Sequence, residues 1–203
     1  MALCIKVPFK DHDHIEVVAE NFLRKNHNKD TYPVPIEEIV EFKLGLDIIP
    51  IPGLHKAFDI DGFLSSDRTS ISIDESVYQS RPGRYRFTLA HEVGHFILHK
   101  DLYGENSFKS VEGWKKFIEQ FPEKEYSLFE WQAYEFAGLV LVPARHLDKR
   151  LKYHIKQIKA LGIKNEVVIL DRAIELVAKD FVVSQEVIRR RLMNFKTKNF
   201  QKT

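Results

Sequence analysis

Along most of the chain, hydrophobic residues recur every three or four positions, which is the spacing of one face of an α-helix. Residues 14–25 illustrate the pattern, because Ile15, Ala19 and Phe22 share a face and Asp13 stands where an N-cap belongs. Further helices are predicted over residues 35–44, 84–99, 111–118, 129–142, 147–160, 166–179 and 184–193. Gly45 is expected to end the helix over 35–44, since glycine readily adopts the backbone conformation that closes a helix.

Three short segments have the composition of strands instead. They cover residues 46–50, 62–65 and 70–73, and the polar turn 66–69 joins the last two into a predicted hairpin. Few strands among many helices indicate an α+β fold that is mainly helical, with a small three-stranded sheet. We expect a core over residues 1–145 and a basic helical region over residues 146–203 that packs on this core.

The composition narrows the class of protein. Hydrophobic residues make up 44% of the 203 residues and charged residues 30%, which excludes a disordered chain. No apolar run reaches the roughly 18 residues of a membrane span, and the N-terminus lacks the apolar segment of a secretory signal. We therefore expect a cytoplasmic protein. Cys4 is the only cysteine, so any bound metal ion must be held by histidines and carboxylates.

The charge is unevenly distributed. Residues 1–144 carry 16 Lys and Arg against 23 Asp and Glu, whereas residues 145–203 carry 15 against 6. A basic segment of this kind can bind nucleic acid, although it is more often a solvated surface.

A metal-binding motif lies within the predicted helix over 84–99. His91 and His95 are four residues apart and therefore project from the same helix face, so both imidazoles can reach one ion. Glu92 can contact a water molecule bound to that ion without being a metal ligand itself. Zn²⁺ lowers the pKa of such a water enough for a carboxylate to take its proton. The alternative is two surface histidines on an ordinary helix, but the apolar flanks Leu89 and Phe96 indicate a helix in the core.

A catalytic zinc normally has a third protein ligand. His99 continues the four-residue spacing, but eight residues of helix separate it from His91 by about 12 Å. Glu130 and Glu135 lie on the predicted helix over 129–142. Glu130 is the better candidate, because it shares a face with small alanines that would let the two helices approach each other closely.

Together these two segments resemble the ImmA/IrrE family of metallopeptidases. The segment RYRFTLAHEVGHFILH matches that family's "FT-x-AHE-x-GH" helix, and EWQAYEFAGLVLVP matches its "E-x-x-A-x-x-FA-x-x-LL-x-P" helix. The resemblance covers roughly residues 14–193. It implies a zincin-like fold and a gluzincin-like site, in which His91, His95 and Glu130 bind Zn²⁺ and Glu92 is the catalytic base. It also implies that the substrate is a transcriptional repressor of helix-turn-helix type, whose cleavage releases gene expression.

Two features depart from the family pattern. Tyr134 stands where the family usually has Asn or Asp, a residue that could orient a metal-bound histidine. The stretch over residues 101–129 is long for the family, and it could form a lid or a partner-binding insertion. Tyr134 and His99 are candidates for the group that stabilises the oxyanion.

The last two predicted helices have the spacing of a helix-turn-helix, with Arg189, Arg190 and Arg191 on or near the second one. The same segment can equally be part of the packed fold, and basic content alone does not read bases. An alternative function is therefore a non-catalytic regulator on a zincin fold that binds protein or DNA. Residues 11–14, Asp-His-Asp-His, could be a second metal cluster, but they lie near the terminus.

Overall fold

The computed structural model describes residues 5–29, 31–103, 108 and 110–200, the last six of these by their backbone alone. The helices are α1 (His12–Asn26), α2 (Ile36–Glu38), α3 (Leu54–Phe58), α4 (Glu75–Ser80), α5 (Pro82–Leu98), α6 (Val111–Ile118), α7 (Glu123–Leu141), α8 (Ala144–Ala160), α9 (Glu166–Phe181) and α10 (Gln185–Phe200). The strands are β1 (Asp47–Ile51), β2 (Gly62–Leu64) and β3 (Ser70–Asp74). The prediction of an α+β, mainly helical fold is confirmed.

The described residues contain one three-stranded sheet, in the order β1-β3-β2. Strand β1 runs parallel to β3, whereas β2 runs antiparallel to it and forms the predicted hairpin. The side chains of Phe63 on β2 and of Ile71 and Ile73 on β3 are almost completely buried. Because β2 is an edge strand, one side of its backbone faces away from β3.

Helices α5 and α7 pack against each other at the centre of the molecule. Their contact is close because Gly94 of α5 lies directly against Ala133 of α7, and a Cβ atom at Gly94 would be only 2.9 Å from the Ala133 Cα atom. On another side, α5 packs on β2, where a Cβ atom at Gly62 would be 2.9 Å from the Thr88 methyl group. Two glycines thus bring both the sheet edge and α7 close to the helix that carries the histidine motif.

The C-terminal helices share the main hydrophobic core. Phe181, Val187 and Ile188 are buried in the same cluster as residues of α5 and α7. A short turn separates α9 from α10; Val182 adopts a left-handed conformation there, and the Ser184 hydroxyl accepts a hydrogen bond from the N–H of Val187. The division into a core over residues 1–145 and a basic helical region over residues 146–203 remains a proposal.

Several local predictions need correction. Asp11 caps α1 by accepting a hydrogen bond from the N–H of His14, so the predicted cap Asp13 is wrong and the helix begins earlier. The predicted helix over 35–44 is helical from Ile36 onward, since Pro35 is the N-cap. Residues Ile39–Leu44 form a π-helix, which ends at Gly45 in the left-handed conformation. Helices α3 and α4 were not predicted, and α7 begins six residues before the predicted start.

The described part of the long stretch over 101–129 packs inward. Tyr103, Phe108, Phe117, Phe121 and Phe129 form a cluster with ring centroids 5.0–6.4 Å apart, and all five side chains are buried. This segment therefore packs against the N-terminal part of helix α7.

None of the helices traced in the structure combines the length and the apolar character that crossing a bilayer requires.

Candidate metal centre

Helices α5 and α7 bring three candidate ligands together. His91 Nε2 lies 3.1 Å from His95 Nε2, and Glu130 places one oxygen 3.2 Å from His91 Nε2 and the other 3.5 Å from His95 Nε2. Ligands about 2.0–2.1 Å from a tetrahedral Zn²⁺ are separated from each other by roughly 3.3 Å, so these spacings suit one such ion. Two imidazoles and a carboxylate are also a donor set that zinc accepts.

Glu135, the alternative carboxylate, lies elsewhere. Its Oε2 atom is 2.9 Å from His12 Nδ1 and accepts a hydrogen bond from the Asn194 side chain. Within the residues that the structure describes, His91, His95 and Glu130 form the one group of His, Cys, Asp and Glu side chains arranged to share an ion. The segment 11–14 does not form a second such group.

The Nδ1 side of His95 is held by a chain of hydrogen bonds. The Gln132 amide nitrogen donates to the carbonyl of Pro8 at 3.0 Å, so its oxygen faces His99 Nε2, also at 3.0 Å. His99 must therefore donate from Nε2, which leaves its Nδ1 free to accept from His95 Nδ1 at 3.0 Å. In this arrangement His95 Nε2 carries a lone pair and points at the candidate metal position.

His99 thus lies behind His95 and not beside it in the cleft. It is buried, with its ring centroid 4.4 Å from that of Phe129, and burial lowers its pKa to about 2. A neutral imidazole in this place suits an orienting role. The suggestion that His99 stabilises an oxyanion is not supported by this position.

Glu92 lies between helix α5 and the sheet edge. Its side chain is buried, and Oε2 accepts a hydrogen bond from the N–H of Leu64 on β2 at 2.9 Å. Burial raises the pKa of Glu92 above its ordinary value, and the nearby charge of Glu130 acts in the same direction. A carboxylate with a raised pKa is a better proton acceptor, which is the property that a general base needs.

The candidate ligands influence one another electrostatically. Burial opposes the charged form of His91, but the hydrogen bond and the negative charge of Glu130 outweigh it and raise the pKa of His91. Burial likewise opposes the ionised form of Glu130, but the hydrogen bond with His91 and the proximity of both imidazoles hold the pKa of Glu130 well below its usual range. The third carboxylate thus stays ionised, as a metal ligand must be.

The three side chains open into a cleft of about 660 Å³. The end of the loop before β2 and the start of α5 form one part of its wall. The turn before α10 contributes Val183 to the wall, and the first turn of α10 contributes Val187. Tyr103 and Tyr126 also line the cleft, and burial together with the charges of Glu92 and Glu130 raises the pKa of both phenols. Sequence reasoning missed these two tyrosines, because no motif links them to the histidines.

Tyr134 forms part of the cleft wall. Its ring packs on Phe87 with a centroid distance of 4.7 Å, and the guanidinium of Arg190 lies 4.4 Å from the ring centroid. These contacts give Tyr134 a role in shaping the cleft. The orienting group for His95 comes instead from Gln132 through His99.

The chain is similar to known proteins in sequence and in fold. The sequence model of the IrrE N-terminal-like domain, Peptidase_M78, matches residues 43–193. A solved structure described as a Mycobacterium tuberculosis transcriptional regulator superposes with a TM-score of 0.57 at 16% identity, over 90% of this chain and 47% of that one. The chain thus spans about half the length of that protein, and the likeness shows the fold alone. No curated protein matches the sequence.

Proposed function

Because the chain belongs to the IrrE N-terminal-like family of M78 peptidases, we propose that it is a zinc-dependent endopeptidase. The observation that carries the proposal is the convergence of His91, His95 and Glu130 beside the buried carboxylate of Glu92. His91, His95 and Glu130 would hold the ion, and Glu92 would act as the base. When bound, Zn²⁺ supplies a Lewis acid that polarises a carbonyl group and acidifies water.

The residues around the candidate metal position would have distinct roles in the proposed reaction. Glu92 would take a proton from the attacking water and later deliver it to the leaving amine. The hydrogen bonds from His95 to His99 and from His99 to Gln132 hold the His95 imidazole in the tautomer that leaves Nε2 unprotonated. Tyr126 lies in the cleft near Glu130, and its phenol is a candidate donor to the developing oxyanion.

The edge of β2 offers a place for an extended peptide. The backbone N–H of Ser65 donates to the carbonyl of Ser70, and the backbone N–H of Asp74 donates to the carbonyl of Asp61. In this register, the residues of the β2 segment whose backbone groups face β3 are Asp61, Phe63 and Ser65. In an antiparallel pair the intervening residues turn their backbone groups outward. The backbone groups of Gly62 and Leu64 therefore point to the free edge, where the N–H of Leu64 donates to the Glu92 carboxylate. A substrate strand added to this edge would pass beside the base.

We propose that the substrate is a helix-turn-helix transcriptional repressor in the cytoplasm. The support is the resemblance to the ImmA/IrrE family, in which such repressors are cleaved. The solved structure with a similar fold is named a transcriptional regulator, which agrees with a place in gene regulation.

The second candidate function is regulation by contact, with the basic C-terminal helices binding nucleic acid. The charge excess in residues 145–203 favours it. The three consecutive arginines are nevertheless engaged within the protein: Arg189 pairs with Asp171, Arg190 pairs with Glu186, and Arg191 is buried. A recognition helix needs such side chains to face the groove, so we favour the peptidase.

The test uses purified protein and a candidate helix-turn-helix repressor. Mass spectrometry of the mixture should reveal defined fragments with zinc-loaded protein, none after chelation, and fragments again after zinc is restored. An intact repressor with stoichiometric zinc present, together with tight and salt-dependent DNA binding by the chain, would favour the second function instead.

A further inference from the structure

The cleft at the candidate metal centre has two ends that differ in the elements that build them. The ring of Phe87 packs on the ring of Tyr134, whereas the rings of His95 and Phe129 stack with centroids 4.0 Å apart. Early positions of α5 thus meet late positions of α7, and Glu130 contacts both motif histidines between these two ring pairs. The candidate metal position therefore has Phe87 and Tyr134 on one side, which we call the Tyr134 end of the cleft.

Helix α10 and the turn before it close the Tyr134 end. The guanidinium of Arg190 lies over the Tyr134 ring. Val187 precedes Arg190 by three residues, so both lie on the same side of α10, and Val187 lines the cleft. Val183 lines it as well, and a Cβ atom at Gly83 of α5 would be 3.6 Å from Val183 Cα. Three helices thus contribute side chains to this end.

Tyr134 contributes an aromatic wall to this end. Burial raises the pKa of its phenol, and the charges that act on the phenol are those of Arg190, Glu186 and Glu135. The first two belong to α10, and Glu135 accepts a hydrogen bond from Asn194 of the same helix. The phenol therefore interacts with the side of α7 that α10 covers, and Tyr134 presents its ring as part of the cleft wall.

The lining of the Tyr134 end is apolar. Phe87, Tyr134, Val183 and Val187 form a recess there, to which we refer as the apolar recess. A hydrocarbon group that enters such a recess releases water from apolar surface on both sides of the contact, which is favourable.

The charged side chains beside the recess already have partners or extend into solvent. Arg84 pairs with Asp61, and Asp61 also lies 3.1 Å from His55 Nδ1. The side chain of Asp59 is 97% exposed. An apolar group can therefore fill the recess without separating these ion pairs or burying a charge.

Strand β2 connects the recess with the proposed path of the substrate. Gly62 lies against Thr88, and Leu64 bonds to Glu92 one turn further along α5, so β2 runs beside the cleft. A peptide on the free edge of β2 would pass the metal position and reach the Tyr134 end. We propose that the apolar recess is a specificity subsite, which accepts a large apolar side chain next to the cleaved bond. The inference rests on the proposed peptidase function and names the class of peptide that it would select.

The probes are three hydroxamic acids that chelate zinc through the same group and carry a methyl, an isobutyl or a benzyl group on the adjacent carbon. Isothermal titration calorimetry with the zinc-loaded full chain gives their dissociation constants, so the readout does not need catalysis. The isobutyl and benzyl compounds should bind at least about tenfold more tightly than the methyl compound.

Two variants change the recess from different helices. Tyr134→Ala removes the aromatic wall, and it should reduce the preference for the two larger compounds to about threefold or less. Val187→Ala removes both γ-methyl groups and deepens the recess, so it should favour the benzyl over the isobutyl compound more than the wild type does. A purely structural role would not change the preferred size of the ligand. If Tyr134→Ala does not fold, Val187→Ala decides the question alone.

The matched control is Ile188→Val, which removes a methyl group from the next residue of α10. Ile188 is completely buried in the core and does not line the cleft, so the affinity ratios should stay unchanged. Equal binding of the three compounds by the zinc-loaded wild type would overturn the inference, and so would wild-type ratios in both recess variants. A chain that binds no zinc would overturn the proposed function together with this inference, whereas the expected ratios without any cleavage of a repressor would contradict the peptidase alone.

Discussion

At the scale of single residues, two glutamates on one helix make the assignment of the third ligand testable. Glu130 contacts both motif histidines, whereas Glu135 contacts His12 and Asn194 on another face of α7. Two imidazoles alone leave a catalytic zinc ion short of ligands. Zinc binding is therefore expected to depend on Glu130 and not on Glu135.

Glu130→Ala should accordingly lower bound zinc sharply, and Glu135→Ala should retain zinc near the wild-type level. The measurement is metal per chain after dialysis against a weak chelator, with folding checked by circular dichroism. Equal zinc in Glu130→Ala and the wild type would refute the assignment, and loss in Glu135→Ala alone would transfer the role to that residue.

Gln132 gives a second prediction at this scale, because it acts on the metal only through other side chains. Gln132→Met keeps the bulk of the side chain but removes the acceptor for His99, so neither His99 nor His95 keeps a fixed tautomer. Loss of such an outer contact typically lowers metal affinity about 10–100-fold.

Competition with a chromophoric zinc chelator measures this affinity. The control is Gln120→Met, an exposed glutamine after α6, which should bind zinc as the wild type does. Unchanged affinity in a folded Gln132→Met protein would show that the hydrogen-bond chain does not orient His95.

At the scale of elements, the site depends on how closely α5 and α7 approach each other. Gly94→Ala places a Cβ atom 2.9 Å from Ala133 Cα and 3.0 Å from its carbonyl oxygen, both backbone atoms that cannot move aside alone. The two helices must then separate, which moves Glu130 away from the histidines. We expect a loss of about 1–3 kcal/mol in the free energy of unfolding, together with weaker zinc binding.

Urea unfolding and zinc competition test this expectation. Gly83→Ala, in the first turn of the same helix, is the matched control, since its new Cβ atom would be 3.6 Å from the nearest atom, an ordinary contact. Equal stability and zinc affinity in the two variants would mean that the close approach is not needed.

The elements also show where sequence reasoning succeeds and where it stops. Helix α5 and most of α7 were predictable because their apolar residues repeat at helical spacing. Helices α3 and α4, of five and six residues, are too short to display that period. The first six residues of α7, EKEYSL, are mostly polar, so they gave no sign that the helix had begun.

The same limit applies to the site. The histidine pair and Glu92 lie within five residues of each other, so spacing alone identified them. The partners of the site come from far along the chain: Leu64 is 28 residues from Glu92, and Pro8 is 124 residues from Gln132. Only tertiary packing brings such groups together, and no local pattern records it.

At the scale of the whole molecule, the C-terminal helices contribute to both the core and the cleft. Phe181 and Ile188 are fully buried, and Val183 and Val187 are buried while also lining the cleft beside the metal centre. Removing residues 180–203 would expose this part of the core and open the cleft. We therefore expect the truncation to lower the stability of the protein more than it changes the affinity for DNA.

Thermal unfolding and DNA binding at several salt concentrations, measured on the truncated and the full chain, separate the two effects. We expect a large fall in Tm and little change in intrinsic DNA affinity. A large salt-dependent loss of DNA binding with an unchanged Tm would show that these helices serve nucleic acid.

The most direct test of the proposed peptidase is cleavage of the repressor by Glu92→Gln at measured zinc occupancy. The substitution keeps the size of the side chain and removes the base but none of the three candidate ligands. The account predicts zinc content equal to that of the wild type and no cleavage of the repressor above background. Cleavage at the wild-type rate by zinc-loaded Glu92→Gln would contradict it.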